Sequence, residues 1–393
     1  MQEVFDILDR DEAVSFLQSL VQTESINPPG DEHAVARKVE ERLAAAGVTA
    51  EMHEVRKGRT NLLASLPGEA SVEGETRVLV YSGHFDTVPL GNASWEHEPL
   101  GGESAGGRVY GRGTTDMKGG VAAMVLALEY LRRSGTRLGG ELRFVGTAGE
   151  EVDGLGAHEV VRKGQIDDAT ALVVGEPSAN GAFVAHKGTL WVEVSVSGRT
   201  AHGSMPENGV NAIDTMRHFL NWLEGHSFSH DEHPLLGGPT VNVGTIEGGV
   251  KANVVADGCS ATLDLRTVPG QSHEEVLSEI ERALAEICSD TGASYEVRVV
   301  NDMAPVSTPE GDPFIGLCLD TAKRRLGQDL TPEGAKYYTD ASVYVPQLGL
   351  PTLIYGPGEP GMAHQPDEWI DVEKYLEGIR FYVALAEEYL GVV

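Results

Sequence analysis

Three scarcities narrow this sequence before any motif is read. Cysteine is rare: Cys259, Cys288 and Cys318 are the only three in 393 residues, and none forms a C-x-x-C pair. That spacing excludes a disulfide framework or a zinc knuckle and points to buried thiols in a reducing, cytoplasmic compartment. Positive charge is short too, with 30 Lys and Arg against 60 Asp and Glu, a formal net charge of −30 and a pI near 4.7. This balance disfavours nucleic acid and anionic membranes as partners. An anionic substrate would need local positive charge, from a metal or an arginine. No apolar run reaches the roughly 18 residues of a membrane span. The acidic opening, Met1-Gln2-Glu3-Val4-Phe5-Asp6, lacks the basic start of a signal peptide. Internal repeats and low-complexity tracts are absent as well.

What is present is a chain of 393 residues, 41% apolar, long enough for two domains with separate cores. Helical spacing marks 11–22, 31–46, 121–131, 314–326 and a closing amphipathic stretch, 373–390. Strands are expected at 61–66, 77–81, 141–146, 171–174 and 352–355. The run 77–81, R-V-L-V-Y, is apolar nearly throughout, as a strand buried on both faces would be.

The chemistry-bearing residues follow these strands. His84 and Asp86 come just after 77–81, where open α/β sheets bind ligands. His84 offers an imidazole for a transition metal, and Asp86 could orient its other ring nitrogen. Alone, an H-x-D is more readily a loop histidine beside an acid. Strand 141–146 leads to Thr147-Ala148-Gly149-Glu150-Glu151-Val152-Asp153-Gly154. Adjacent side chains on an extended backbone point to opposite sides, so one glutamate could hold a metal and the other serve a substrate. Alone, the pair also reads as two solvated loop acids. Glu176 follows 171–174, and His364 follows 352–355. Asp116 stands before the apolar helix 121–131, as a cap-type residue or a ligand. The preceding Gly111-Arg112-Gly113 does not have the spacing of a nucleotide-binding loop. Strand ends that repeatedly supply an acid or a histidine are what a metal site on a sheet rim produces.

Between these halves the pattern changes. Segments 189–196, 208–223, 240–246, 250–266, 272–287 and 295–300 read β-α-β-β-α-β, a ferredoxin-like unit. We therefore expect an α/β/α catalytic domain with a central mixed sheet, from 1–186 and 300–393, and an inserted α+β domain, 187–299. His202 lies on a Gly-containing turn. His226, His230 and His233 sit in a polar loop without a framework of spaced ligands, and read as solvent-facing.

His84, Asp116, Glu151, Glu176 and His364 form a mixed nitrogen and oxygen set that suits Zn²⁺, with Co²⁺ or Mn²⁺ as substitutes. Five donors exceed one open tetrahedral ion. Two ions sharing Asp116 would use all five, and such a pair can hold a hydroxide and polarise a carbonyl together. Glu150 is then free to move a proton.

The motifs G-H-F-D-T-V-P, Y-G-R-G-T-T-D-M-K-G-G, T-A-G-E-E, V-V-G-E-P-S, A-H-G-S and A-H-Q-P-D-E resemble, in order and over essentially the whole chain, those of the M20 metallopeptidase family. This is the acetylornithine deacetylase, succinyl-diaminopimelate desuccinylase and glutamate-carboxypeptidase-like group. The resemblance implies a two-zinc catalytic domain and an inserted lid that forms a homodimer. It implies His84 and Glu176 on one metal, Glu151 and His364 on the other, and Asp116 between them. It further implies Asp86 as orienter of His84, Glu150 as general acid/base, and His202 as an oxyanion-stabilising residue serving a partner's site. Asn253, Arg266, Gly356 and Gly358 match substrate-binding positions. The sequence departs at Ala256, where proline is usual, and at Tyr337-Tyr338, where glycines are frequent. It also lacks a T-S-D-G-R signature. The expected activity is amide hydrolysis of an N-acyl amino acid, with dipeptidase or carboxypeptidase activity as the alternative and a catalytically silent scaffold as the rival from another class.

Overall fold

The computed structural model describes residues 9–69 and 77–393, so the acidic opening read above lies outside the described residues. The chain divides into two compact units, Met1–Ala185 with Ser307–Ala335 and Thr339–Val393, and His186–Val306 with Lys336–Tyr338.

The first unit begins with α1 (Arg10–Val21), α2 (His33–Ala45) and the antiparallel pair β1 (Thr49–Arg56) and β2 (Arg59–Leu66). Asp9 caps α1 by accepting the Glu12 N–H at 2.9 Å. Then come β3 (Val78–His84), the short hairpin β4 (Glu103–Ala105) and β5 (Arg108–Tyr110), α3 (Gly119–Arg133), β6 (Glu141–Thr147), α4 (Leu155–Arg162), β7 (Ala171–Val174) and β8 (Ala182–His186). Every residue of β3 is buried, as is α3 from Gly119 to Leu131, which explains why both read as continuous apolar runs.

The second unit holds β9 (Gly188–Ser197), α5 (Ala212–Gly225), β10 (Thr240–Gly248), β11 (Gly258–Thr267), α6 (His273–Thr291) and β12 (Ser294–Met303). Its sheet runs β10-β11-β9-β12, all antiparallel, the ferredoxin-like order. Alternate residues of β9 and β11, among them Val192, Val194, Leu263 and Leu265, pack against Met216 and Phe219 of α5 and Ile280 and Leu284 of α6.

The return comprises β13 (Val306–Ser307), α7 (Pro313–Thr321), β14 (Pro332–Ala335), α8 (Ala341–Leu348), β15 (Thr352–Ile354), β16 (Trp369–Asp371) and α9 (Val372–Leu390). The large sheet is ordered β1-β2-β6-β3-β7-β15-β8-β13, with β14 paired to β8. It is mixed: β6, β3, β7 and β15 are mutually parallel, while β2 joins β6 and β8 joins β15 antiparallel. No helix among the described residues is long and apolar enough to cross a membrane.

Several boundaries differ from expectation. The segment 250–266 is not one strand, because 251–255 turns away to meet 201–203 before β11 starts. Val255 N–H donates to Ala201 O and Gly203 N–H to Asn253 O, both at 2.9 Å. The helix expected from 208 starts at Ala212, where the Asn211 side chain accepts the N–H groups of Ile213 and Asp214. The helix expected over 314–326 ends at Thr321 and widens into a π turn, Ala322–Leu326. The half-exposed strand β1 and the short elements α4, α8 and β8 were not anticipated.

Candidate metal centre

Because β6, β3, β7 and β15 are parallel, their C-terminal ends share one rim. In register, His84 stands opposite Thr147, and Ser82 opposite Val174. The chain leaving these ends carries Glu150, Glu151, Glu176 and His364, and the turn before α3 carries Asp116. Strand polarity thus brings together six residues that the sequence scatters over 281 positions, from 84 to 364.

Asp116 is the centre. Its Oδ1 lies 3.1 Å from His84 Nε2, and its Oδ2 lies 3.3 Å from His364 Nε2. His84 Nε2 is also 3.5 Å from Glu176 Oε1 and 3.9 Å from Glu150 Oε2. His364 Nε2 is 3.2 Å from Glu151 Oε2. Ligand atoms of His84, Glu150 and Glu176 lie within 4.8 Å of one another, as do those of His84, Asp116 and Glu151. His84, Glu150 and Glu176 are buried, whereas half of the His364 side chain is exposed.

Two buried carboxylates hold the loops that present these groups. Asp86 Oδ1 accepts the N–H groups of Gly149 (3.1 Å) and Glu150 (3.2 Å), and Oδ2 accepts that of Glu151 (3.2 Å). The Asn27 side-chain amide completes the set, donating to Oδ2 at 2.8 Å. The Asp86 carboxylate stands 3.5 Å from His84 Nδ1, which lies closer, at 3.0 Å, to the backbone carbonyl of Asp86 itself. His84 thus has Nδ1 engaged and Nε2 facing the acids. Glu368 does the same for the other loop, accepting N–H groups of Gly113, Thr115 and Asp116.

The electrostatics follow from packing acids together out of water. Burial and the neighbouring carboxylates push Glu150 and Glu176 well above the ordinary carboxylate range, and Glu151 up to about 7. Asp116 goes the other way: burial is outweighed by the two imidazoles, and its carboxyl is held low. Burial opposes charge on His84, but Glu176, Asp116, Asp86 and Glu150 prevail and raise it well above its usual value. Asp116 and Glu151 raise His364 to about 10.

These residues fit divalent cations. The set combines imidazole nitrogens with carboxylate oxygens, the mixture zinc-type ions accept. The buried Oε1 of Glu151 has no hydrogen-bond partner among the described residues, an oxygen available for a ligand bond. Bound cations would reverse the upward carboxylate shifts, since the ions are then the largest local charges.

Gly356 and Gly358 pack against the backbone beside the site. A side chain at Gly356 would meet Gly175 O at 2.3 Å, and one at Gly358 would meet Thr115 O at 2.4 Å. They let the 356–358 loop lie against the backbone next to Glu176 and Asp116. In the second unit, His202 is exposed, its Nδ1 lies 2.7 Å from Ser204 Oγ, and it forms a bridge with Val254. Asn253 is therefore its neighbour. The Arg266 guanidinium is engaged by Asp264, with Nε 2.9 Å from Oδ1. His226 stacks on Trp222 and pairs with Glu279 at 2.6 Å, apart from any metal-type cluster.

Sequence reasoning missed Glu368, Arg112, Asn27 and Asp340. Asp340 is buried, accepts from Thr147 Oγ1 at 2.5 Å, and is raised by burial to about 6. A signal for Asp340 was its place in Thr339-Asp340-Ala341, directly after Tyr337-Tyr338. For Glu368 nothing in the sequence separates it from the adjacent acid Asp367.

Comparison with known proteins shows the family to which the chain belongs. Residues 80–388 match the model of peptidase family M20/M25/M40. A probable succinyl-diaminopimelate desuccinylase of Staphylococcus epidermidis is 29% identical, over 98% of this chain and 99% of the relative. An acetylornithine deacetylase of Pasteurella multocida is 31% identical, over 81% of each. The crystal structure of aminopeptidase PepT from Bacillus cereus superposes with a TM-score of 0.78 at 24% identity, over 97% of this chain and 99% of that one, a likeness of fold. The chain belongs to peptidase family M20/M25/M40 and is a metal-dependent hydrolase.

Proposed function

We propose that this chain hydrolyses the amide bond of an N-acyl amino acid, using two divalent cations, zinc with cobalt or manganese as substitutes. The observation that carries the reading is the division of Asp116, whose two oxygens face His84 and His364 separately. In this reading, His84 and Glu176 would hold one cation, Glu151 and His364 the other, and Asp116 would serve both. When bound, the pair polarises the scissile carbonyl and acidifies water. Glu150 accepts the proton of the attacking water at a carboxylate oxygen and returns it to the nitrogen of the departing amine. Its backbone N–H donates to Asp86 Oδ1 at 3.2 Å, which holds the loop that carries it.

The acyl-amino-acid substrate class rests on the names of the desuccinylase and deacetylase relatives. A dipeptidase or carboxypeptidase would use the same residues. By resemblance, His202, Asn253 and Arg266 contact the substrate, His202 serving a second copy. A homodimer through the inserted unit is supported by β10, an edge strand exposed along its whole length with Val241, Val243 and Ile246 outward. A cytoplasmic setting is supported by three free, buried cysteines. The test is metal content per chain, with an assay of N-acetyl and N-succinyl amino acids against dipeptides, beside Glu150→Ala. Amide hydrolysis by the metal-loaded protein and none by the variant is expected. No turnover of any amide by the loaded wild type would refute the proposal.

A further inference from the structure

We infer that Glu368, paired with Arg112, is a positioning residue for Asp116, setting how firmly the cations are held. This rests on Asp116 being the shared ligand. Glu368 touches no reacting group. Its wholly buried carboxylate is instead an acceptor for four donors drawn from 112–116. Oε1 accepts Thr115 N–H at 2.8 Å and Asp116 N–H at 3.0 Å. Oε2 accepts Gly113 N–H at 3.1 Å and Arg112 Nη1 at 2.6 Å. The N–H of Asp116 itself is thus one of the four, so the backbone at this residue is fixed by the carboxylate beneath it.

Arg112 ties the same loop back to the histidine. Besides Glu368, its guanidinium donates to Gln365 O at 3.3 Å, to His364 O at 3.5 Å and to Pro89 O at 3.4 Å. The segment 364–368 therefore sets His364 against the Asp116 carboxylate and Glu368 against the Asp116 backbone. His364 and Asp367 have φ of 64° and 52°, left-handed for residues other than glycine. Such conformations persist where surrounding contacts over-determine them: Arg112 holds the His364 carbonyl, and the N–H groups of Glu96 and His97 donate to Asp367 Oδ1. Outer partners of this kind tune metal affinity by roughly 10–100-fold.

The test substitutes Glu368→Gln. The amide has the same size, but in either orientation its NH₂ faces two of the four donors. The control is Glu129→Gln, another wholly buried acid paired with an arginine, Arg42 at 2.5 Å. Zinc-loaded proteins are titrated with a competing chelator, and the melting temperature of each metal-free protein is measured alongside. We expect Glu368→Gln to hold zinc about 10–100-fold more weakly, and Glu129→Gln to hold it as wild type does at a comparable loss of melting temperature. Glu368→Asp, which keeps the charge, should lie between and serves if the glutamine variant does not fold. Wild-type affinity in both Glu368 variants, or an equal loss in Glu129→Gln, would overturn the inference. Failure of the wild type to bind zinc would be seen before any variant is compared, and would overturn the two-cation reading with it.

Discussion

Two strands of the large sheet end in a buried histidine, and the two are handled in opposite ways. His84 closes β3 and His186 closes β8. Each has Nδ1 near a backbone carbonyl, Asp86 O at 3.0 Å and Lys187 O at 2.9 Å. Yet His84 is raised well above its usual value, and His186 is lowered to about 4, burial being the leading cause. The difference lies at Nε2. For His84 it faces Asp116, Glu176 and Glu150, whereas for His186 it is buried without a partner among the described residues. A histidine at a strand end is thus a ligand candidate only where acids from other strands converge on its free nitrogen.

Substitution should separate the pair sharply. His84→Gln should remove a cation and cut turnover by about 10³-fold or more, while His186→Gln should leave metal content at the wild-type value. Metal analysis beside a steady-state assay reads both, and equal loss in the two variants would erase the distinction. Next in size, Glu151→Gln should lower the metal content by about one ion per chain. Asp86→Asn should be milder. The amide NH₂ would face backbone N–H groups of the Glu150–Glu151 loop, and we expect turnover down roughly 10–100-fold with the histidine ring still held by the Asp86 carbonyl.

The smallest effect concerns pH and belongs to His186. Its folded value is depressed below 6.5, so the unfolded chain binds the proton more tightly. The stability it contributes is complete above about pH 6.5 and is lost as pH falls toward about 4. The difference in unfolding free energy between wild type and His186→Gln should therefore shift against the wild type by about 2–3 kcal/mol between pH 7 and pH 4.5. Denaturant titrations at the two pH values check this, and a constant difference would show that the buried ring is not held neutral.

The candidate ligands His84 and Glu176 were legible because each stands at or just after a run whose burial on both faces leaves an unbroken apolar signature. Val78–His84 and Ala171–Val174 are such runs. The inserted unit was legible through the alternation of β9 and β11. What stayed hidden was Glu368 altogether and, for Asp86, its hold on backbone N–H groups. Glu368 and Asp86 each gather donors from a loop remote in sequence, and nothing in a polar segment such as H-Q-P-D-E marks which acid is buried. The β1 strand escaped notice because it is half exposed, and the 250–266 boundary because its turn is set by pairing with 201–203.

In the proposed chemistry the adjacent glutamates divide their work, Glu151 holding metal and Glu150 moving the proton. The most direct measurement is metal per chain together with turnover in Glu150→Gln. The expected result is wild-type metal content with turnover reduced by about 10²–10⁴-fold. Loss of a cation from Glu150→Gln, or turnover near the wild-type rate with full metal, would contradict it.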